Sequence, residues 1–179
     1  MECIFCKIVR GEIPATKVLE DQLNLAFLDI RPRSPGHTLV IPKKHYEKLE
    51  DMSQQEAKEL FGFIHKLIKV VTRAVNAQGY NLGINNGKVA GQEVMHVHFN
   101  IIPRFHDDKG LPIQGIVQIE VKEDLNEIAN KIKQKISELG LDKEKTKEEK
   151  PSKTSEREWQ EFVLEEQDKA PNYSEARRE

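Results

Sequence analysis

The sequence predicts an α+β fold in which one long helix covers an antiparallel sheet of about five strands. Five short segments are rich in β-branched and aromatic residues and are bounded by turn-forming residues, a pattern typical of strands. One longer segment instead repeats apolar residues at helical spacing. Short links between most of the strand segments favour antiparallel pairing. The predicted strands are residues 16–20, 23–30, 38–41, 80–84 and 94–102.

The N-terminal part of the chain supplies the first three strands. Residues 3–10 form a short helical or turn segment that Gly11 ends. Asp21-Gln22 has the composition of a hairpin turn between the first two strands. Residues 31–36 contain two prolines and two arginines, which predict a rigid, basic loop before the third strand, and Pro42 stops that strand.

The long helix begins at a capping box. In Ser53-Gln54-Gln55-Glu56 the serine oxygen and the glutamate carboxylate can accept hydrogen bonds from unpaired N–H groups at a helix start. Apolar residues then recur at helical spacing for more than about five turns, and Gly79 is placed to stop the helix. This stripe must cover a sheet. It consists of Ala57, Leu60, Phe61, Ile64, Leu67, Ile68, Val71, Ala74 and Val75.

The composition divides the chain into three regions. Residues 1–110 form the main domain, and residues 111–140 add a strand and an amphipathic helix that ends near Gly140 and packs on the domain. From 141 to 179, 21 of 39 residues are charged, too many for this extension to form its own core. A capping box predicts a short helix at about 156–167 that docks on the domain or on a partner subunit, and a flexible tail is the alternative.

The overall composition argues against several classes of partner. The chain of 179 residues has a net charge of −2, which predicts neither a nucleic acid nor an anionic membrane as partner. The chain has neither an apolar run of about 18 residues nor a signal-peptide pattern, so we expect a cytoplasmic protein. Cys3 and Cys6 close too short a loop for a useful structural disulfide, which leaves metal binding or redox chemistry.

The strand predicted at residues 94–102 carries the most informative pattern. Alternate side chains leave opposite faces, so one face is apolar and the other bears two imidazoles and an amide. Each of these three polar groups would cost about 1–3 kcal/mol if buried without a partner, so something polar must face them. An ordinary half-exposed strand is the alternative, but the preceding loop, rich in Gly and Asn, favours a site. The apolar set is Val97, Phe99 and Ile101, and the polar set is His96, His98 and Asn100.

The segment His96-Val97-His98-Phe99-Asn100-Ile101-Ile102 resembles the histidine-triad (HIT) motif, in which three histidines alternate with apolar residues. The resemblance covers roughly residues 3–105 in the right order and spacing, and it implies a HIT-like α+β fold that binds nucleotides. Asn100 stands where the family has its third histidine. Three other segments carry the resemblance: Phe27-Leu28-Asp29-Ile30, Gly36-His37-Thr38-Leu39-Val40-Ile41-Pro42 and Asn85-Asn86-Gly87.

The resemblance assigns catalytic roles to two histidines. His98, the second histidine of the motif, is the expected nucleophile on phosphorus, a role that suits neutral imidazole because phosphate oxygens do not repel it. Its other ring nitrogen needs an acceptor, either a backbone carbonyl or His37. His37 matches the histidine that the family places behind the triad. The alternative for His37 is a strand-entry residue bonded to a backbone carbonyl.

A loop leads from the fourth strand into the histidine motif, and its glycines permit backbone N–H groups to converge on a phosphate. In the family, the residues matching Asn85, Gly91 and Gln92 contact the phosphates and the sugar, and we expect the adjacent Glu93 to join them. Asp29 matches the acidic residue that accepts from both ribose hydroxyls, as a carboxylate can. A turn cap is the alternative role for Asp29.

Four residues predict a metal site. Cys3, Cys6, His45 and His96 would make a Cys₂His₂ set, which is typical of closed, tetrahedral, structural zinc sites. Many bacterial and archaeal HIT proteins that share the Cys-x-x-Cys opening carry such a zinc, so the resemblance implies a structural zinc here. Such a zinc would pin the N-terminus to the backbone that carries His98.

The departure at Asn100 bears on the reaction. An amide can donate a hydrogen bond but cannot act as an acid near neutral pH, so leaving groups that depart as stable anions are favoured. We expect a hydrolase that acts at the α-phosphate of dinucleoside polyphosphates or AMP conjugates through a nucleotide bonded to His98. A nucleotidyltransferase or phosphorylase, by analogy with related enzymes that carry His-x-His-x-Gln, and a low-turnover nucleotide-binding regulatory protein are the alternatives. The resemblance also implies a homodimer.

Overall fold

The computed structural model describes residues 2–117 and 124–141, which fall into two compact units, one within residues 1–119 and one from residue 120 onward. The first unit holds a five-stranded antiparallel sheet and two helices, and residues 124–141, the described part of the second, hold one helix, which confirms the predicted fold class. The elements of the first unit are α1 (Ile4–Val9), β1 (Lys17–Glu20), β2 (Asn24–Leu28), β3 (Thr38–Pro42), α2 (Gln54–Ala74), β4 (Gly79–Ile84) and β5 (Phe99–Arg104), and short 3₁₀ turns lie at Leu49–Asp51, Lys88–Ala90 and Ile113–Gly115.

The strand order of the sheet is β1-β2-β3-β5-β4. β5 lies between β3 and β4, where Asn100 is paired with Leu39 on one side and with Gly83 on the other. The last strand among the described residues is therefore an interior strand of this sheet. This topology places the histidine motif beside β3 and close to His37.

The start of β5 differs from the predicted strand at residues 94–102, because the ladder begins only at Phe99. Before that point the N–H of Val97 donates to the carbonyl of Tyr46 at 2.7 Å, in the segment that follows β3. These residues are thus held by an irregular segment rather than by a neighbouring strand. The prediction of a strand from residue 94 was wrong for this reason.

The end of β5 also differs from the prediction, because Pro103 lies within the strand and does not stop it. Pro103 is paired with Tyr80 of β4, whereas the ladder with β3 ends at the pair Thr38 and Ile101. Beyond Ile101 the strand has a neighbour on one side only. A proline is tolerated there because its missing N–H is not needed on the open side.

The two faces of the sheet pack against different helices. Leu60, Ile64 and Leu67 of α2 are almost fully buried against one face, whereas Phe5 and Ile8 of α1 join the apolar cluster of the other. Burying one such side chain is worth about 1.5–3 kcal/mol, so this packing stabilises the helix positions. The predicted apolar face of the histidine segment, Val97, Phe99 and Ile101, lies in the α2 cluster, which confirms that these three side chains share an apolar face.

The end of α2 comes earlier than the predicted stop at Gly79. The helix ends at Ala74, and Asn76 has a φ of 55°, in the left-handed region that asparagine tolerates. The N–H of Ala77 donates to the carbonyl of Thr72 at 2.9 Å and closes the last turn. Gly79 instead opens β4.

The second unit contains α3, at Leu125–Glu138, which confirms the predicted C-terminal helix. Asp124 caps it by accepting from the N–H of Asn126 at 2.9 Å. The short helix expected at about 156–167 lies outside the described residues, and the grouping of residues 111–140 with the domain stays a prediction. In the part of the chain that the structure describes, no helix is both long and apolar enough to cross a membrane.

Glu56 joins the start of α2 to the segment that carries His45. The predicted capping box is present, since Ser53 Oγ accepts from the N–H of Glu56 at 3.2 Å and Glu56 Oε2 accepts from the N–H of Ser53 at 3.1 Å. Glu56 Oε1 accepts from the Tyr46 hydroxyl and from Lys44 Nζ, the latter at 3.1 Å. These donors, Ser53 first, lower the pKa of Glu56 from 4.5 to about 2.

We predict that Glu56→Gln lowers the free energy of unfolding at pH 7 and that the difference from wild type disappears in acid. A carboxyl group whose pKa is lowered by folding stabilises the fold above its unfolded pKa, near 4.5, and loses this effect as the pH falls towards about 2. Urea unfolding at several pH values between 2 and 7 measures the difference. Glu59→Gln, which removes one charge from the next turn, is the control, and a difference independent of pH would contradict the prediction.

Candidate active site and metal site

The loop between β2 and β3 is fixed by Gly36. This residue has a φ of +80°, and a Cβ at its position would lie 2.9 Å from Cγ1 of Val75, so no other residue fits without a shift. The N–H of His37 donates to the carbonyl of Ser34 at 3.0 Å and closes the turn. The position of His37, directly before the first residue of β3, is therefore fixed.

A cavity of about 920 Å³ lies on the α1 side of the sheet, and its walls come from α1 and from β2 to β5. This volume is in the range of known small-molecule sites, about 300–1,000 Å³. Seven of the predicted site residues line it: Asp29, His37, Asn85, Gly91, Glu93, His98 and Asn100. Gln92 does not line it, and the four predicted metal ligands form a separate cluster.

Only one of the two ring nitrogens of His98 has a hydrogen-bond partner among the described residues. Its Nδ1 lies 2.7 Å from the carbonyl oxygen of His96, and because a carbonyl only accepts, Nδ1 carries the proton. In the neutral form of the ring, the lone pair is therefore on Nε2. The ring of Phe5 packs edge-on against it, with centroids 5.4 Å apart, and His98 is 9% exposed. Of the two acceptors proposed from the sequence, the backbone carbonyl holds His98 and His37 does not.

His37 contacts Asn100 and determines the orientation of its amide. The N–H of Arg33 donates to His37 Nδ1 at 3.2 Å, so Nδ1 is an acceptor and the ring proton is on Nε2. His37 Nε2 then donates to Asn100 Oδ1 at 3.0 Å. Because the oxygen of Asn100 is engaged by His37, its NH₂ group is the part left to donate to a ligand.

Asp29 lines the cavity and also caps a turn. Its Oδ1 accepts from the N–H of Arg31 at 2.8 Å, which is the turn cap given above as the alternative role of Asp29. Its Oδ2 lies 3.7 Å from His37 Nδ1, which is itself an acceptor and gives this oxygen no proton. Oδ2 is therefore available to a donor on a ligand, so the two roles of Asp29 are compatible.

The loop from Asn85 to Gln92 has the backbone conformations that its glycines predict. Gly87 and Gly91 have φ values of 92° and 84°. Asn85 Nδ2 donates to the carbonyl of Gly91 at 3.3 Å and holds the two ends of the loop together. Asn85 and Gly91 remain beside the cavity.

Gln92 holds this loop from behind. Its Oε1 accepts from the N–H of Gly87 at 2.7 Å, and its Nε2 donates to the carbonyl of Glu47 at 2.7 Å. The side chain is 5% exposed. Both of its polar atoms are used within the protein, so Gln92 shapes the loop without facing the cavity.

The structure also lines the cavity with residues that the motifs did not indicate. Arg31 and Arg33 belong to the basic loop before β3. In the sequence, their positive charge close to His37 could have indicated that they belong to the site. The segment from Leu111 to Ile116 forms another wall, and Arg104 fixes it by bonding both Asp108, at 2.6 Å and 2.8 Å, and the carbonyl of Leu111, at 3.2 Å. No sequence pattern pointed to this second wall.

The predicted metal ligands lie together, with all their ligand atoms within 4.8 Å of one another. His96 Nδ1 is 3.5 Å from Cys3 Sγ and 3.3 Å from His45 Nδ1, and Cys6 Sγ is 3.4 Å from His45 Nδ1. Tetrahedral bonding with metal–sulfur and metal–nitrogen lengths typical of zinc gives separations of ~3.6 Å between S and N and ~3.3 Å between two N atoms. The four residues therefore fit a metal ion.

The tautomer and the charge of His96 both suit a metal ligand. Its Nε2 donates to the carbonyl of Pro42 at 2.8 Å, which leaves the lone pair on Nδ1, inside the cluster. Burial lowers the pKa of His96 to about 4, so the ring is neutral at pH 7. Burial, together with Cys3, raises the pKa of the Cys6 thiol, the opposite of what a bound cation would do.

The chain is similar to known proteins of one family. The family model "HIT domain" matches residues 10–107. The chain is 51% identical to an uncharacterised HIT-like protein of Methanocaldococcus jannaschii over 73% of this chain and 98% of that one. It is 46% identical to adenosine 5′-monophosphoramidase of Schizosaccharomyces pombe over 74% and 100%, and 40% identical to adenylylsulfatase of Arabidopsis thaliana over 60% and 54%.

Solved structures give the same fold. A HIT family protein of Bacillus subtilis matches with a TM-score of 0.68 and 38% identity, covering 77% of this chain and 96% of that one. A zinc-bound histidine triad family protein of Mycobacterium smegmatis matches with a TM-score of 0.58 and 34% identity, covering 78% and 96%.

We predict that Gln92→Ala destabilises the domain by about 1–3 kcal/mol, because the N–H of Gly87 and the carbonyl of Glu47 both lose their partner. Urea unfolding measures the loss. Gln92→Glu is the matched variant. It can still accept from Gly87 but places a buried carboxylate oxygen against the carbonyl of Glu47, so at pH 7 it should destabilise the domain at least as much as Gln92→Ala. Unchanged stability with weakened nucleotide binding would contradict a supporting role and favour direct contact with the ligand.

Proposed function

The chain belongs to the HIT domain family, and from that premise we propose that it hydrolyses nucleotides at the α-phosphate through a nucleotidyl intermediate on His98. One observation carries the proposal. The hydrogen bond from His98 Nδ1 to the carbonyl of His96 leaves a neutral lone pair on Nε2 of a residue that lines a nucleotide-sized cavity. Relatives named for adenosine 5′-monophosphoramidase and adenylylsulfatase activity support hydrolysis of AMP-containing substrates.

In the first step, the lone pair of His98 Nε2 attacks the α-phosphorus and forms an N–P bond. The bond from phosphorus to the leaving group breaks, and the leaving atom keeps the electron pair. The imidazole becomes positively charged, and the carbonyl of His96 stabilises this charge through the hydrogen bond from Nδ1. Nucleophile and acceptor are thus in the arrangement that covalent catalysis requires.

In the second step, water attacks the same phosphorus and the N–P bond breaks. The electron pair returns to Nε2, so the neutral ring is restored, and the water gives up a proton to solvent as AMP forms. Hydrolysis regenerates His98 without any other group of the protein changing charge. Phosphate in place of water would yield ADP by the same step.

The cavity supports a definite placement of the nucleotide. Asp29 Oδ2 is free to accept from a ribose hydroxyl, and the loop containing Gly91 presents backbone to the α-phosphate. The apolar residues of α1, with Phe5 next to His98, offer a wall for the base. Glu93 lies at the exposed edge, where it pairs with Arg31.

Asn100 restricts the leaving group. Its NH₂ can donate a hydrogen bond to the departing atom but supplies no proton. Substrates whose leaving group is a weak base, such as a nucleoside polyphosphate, are therefore favoured over substrates that release an alkoxide or an unprotonated amine. We propose dinucleoside polyphosphates and related AMP conjugates as the substrates.

We also propose that the metal of the Cys3, Cys6, His45 and His96 cluster is zinc. The donor set and its interatomic distances support a closed tetrahedral site, and a zinc-bound structural relative agrees. Zinc in such a site supplies structural cross-linking. A cytoplasmic homodimer stays the expectation for compartment and assembly, and equilibrium sedimentation of the full chain tests the assembly.

We predict that His98→Ala lowers the rate of AMP formation from diadenosine tetraphosphate by about 10³-fold or more, because the nucleophile is lost. Brief incubation of wild type followed by denaturation and mass spectrometry should find AMP, less one water, attached at His98. AMP as product supports hydrolysis, and ADP in the presence of phosphate would favour transfer.

The control for this experiment is His65→Ala, which removes an exposed histidine of α2. Retained AMP binding by His98→Ala in calorimetry shows that the variant is folded. Full activity of His98→Ala would refute the proposed nucleophile. Tight AMP binding by wild type with no turnover of any substrate would instead favour a regulatory binding protein.

We predict about one zinc per chain in protein purified without chelator, measured by elemental analysis. Cys6→Ser should lower this content and the thermal unfolding temperature, because a metal that binds only the folded state stabilises it. His106→Ala, an exposed histidine outside the cluster, should keep the metal. Wild-type protein with almost no metal would contradict the assignment.

A further inference from the structure

Two arginines of the loop before β3 line the cavity but differ in their partners. Arg31 Nη2 lies 3.1 Å from Glu93 Oε2, so its charge is paired at the exposed edge of the cavity. Arg33 has no carboxylate within 4.0 Å among residues 2–117 and 124–141. Arg33 is therefore a cationic residue of the cavity lining that forms no ion pair with any residue in the described part of the chain.

The backbone of Arg33 is held close to Asn100. Its N–H donates to His37 Nδ1, and His37 Nε2 donates to Asn100 Oδ1, so one imidazole ring separates the two residues. Pro32, directly before Arg33, has its φ fixed by its ring and so restricts the backbone of this loop. Arg33 therefore lines the cavity from a backbone position on the side of the site where Asn100 lies.

That side of the site must accommodate the leaving group. Asn100 cannot protonate the departing atom, so this atom carries away the electron pair as negative charge. A cation on this side of the cavity stabilises the charge in the transition state more than in the ground state when the leaving group is an oligophosphate, because the charge spreads along the chain as the bond breaks.

We propose that Arg33 is a specificity-determining residue that selects leaving groups bearing phosphate charge, so that the preferred substrates are nucleotides joined to a polyphosphate chain. The inference rests on the proposed function and names the substrate class of the same site. His98 forms the N–P bond, the P–O bond to the second phosphate breaks, and the departing oxygen keeps the pair beside Arg33. No proton is required at that oxygen.

The test compares two substrates that both release a weakly basic oxygen but differ in phosphate charge. Diadenosine tetraphosphate releases a nucleoside triphosphate, and the p-nitrophenyl ester of AMP releases p-nitrophenol, which has no phosphate. Arg33→Gln should lower kcat/KM for the tetraphosphate by about five- to tenfold and leave kcat/KM for the ester within about twofold. The selective loss should shrink at high salt, since an exposed charge is screened.

Two further variants complete the design. Arg33→Lys should recover part of the preference because it restores the charge, although it lacks the forked geometry of the guanidinium. Arg31→Gln removes the same charge from the same loop at a position that Glu93 already pairs, and it should leave the ratio of the two kcat/KM values unchanged. Thermal unfolding of each variant shows whether it is folded.

The outcomes separate the inference from the proposed function. An equal loss for both substrates, or no loss for either, would overturn the role of Arg33 while leaving the His98 intermediate intact. A wild-type protein that neither releases p-nitrophenol nor becomes adenylylated at His98 would overturn the proposed function itself. A loss confined to the tetraphosphate that diminishes with salt supports the inference.

Discussion

The arrangement of the site depends on one residue, His96, which is bonded in three directions. Its carbonyl accepts from His98 Nδ1, its Nε2 donates to the carbonyl of Pro42, and its Nδ1 faces Cys3, Cys6 and His45. It is completely buried, so each of these polar atoms requires a partner. Any shift of the His96 backbone would move the acceptor of His98 and the cluster together. The proposed nucleophile and the cluster that could hold a metal ion therefore share the backbone of one residue.

The rest of the fold holds this backbone in place. Val97 and Phe99 are buried against α2, so the backbone on either side of His98 is fixed by apolar packing. From the other direction, Tyr46 accepts from the N–H of Val97 and donates to Glu56 at the start of α2, which fixes the segment that carries His45. The long helix thus acts on the site through the core and through its N-terminal cap.

The sequence was sufficient for those features that depend on spacing alone. The alternation from Val97 to Ile101 correctly separated the apolar face, which packs against α2, from the face that carries the histidines, and the capping box at Ser53 and Glu56 is present as predicted. It was not sufficient where contacts distant in sequence decide. The bond from Val97 to Tyr46 delays the start of β5, and the bonds of Gln92 to Gly87 and Glu47 turn its side chain away from the cavity. Local patterns contain no information about these partners.

The hydrogen-bond chain through His37 explains why the amide at position 100 is consistent with the rest of the site. The N–H of Arg33 forces the proton of His37 onto Nε2, which in turn forces Asn100 to present its NH₂. The orientation of this donor is therefore fixed by a backbone group and does not depend on protonation near neutral pH. A histidine in place of Asn100 could change charge with pH, whereas the amide donates one constant hydrogen bond. In the proposed reaction such a site would stabilise charge on a departing atom by position and would not transfer a proton to it, which favours leaving groups that are stable as anions.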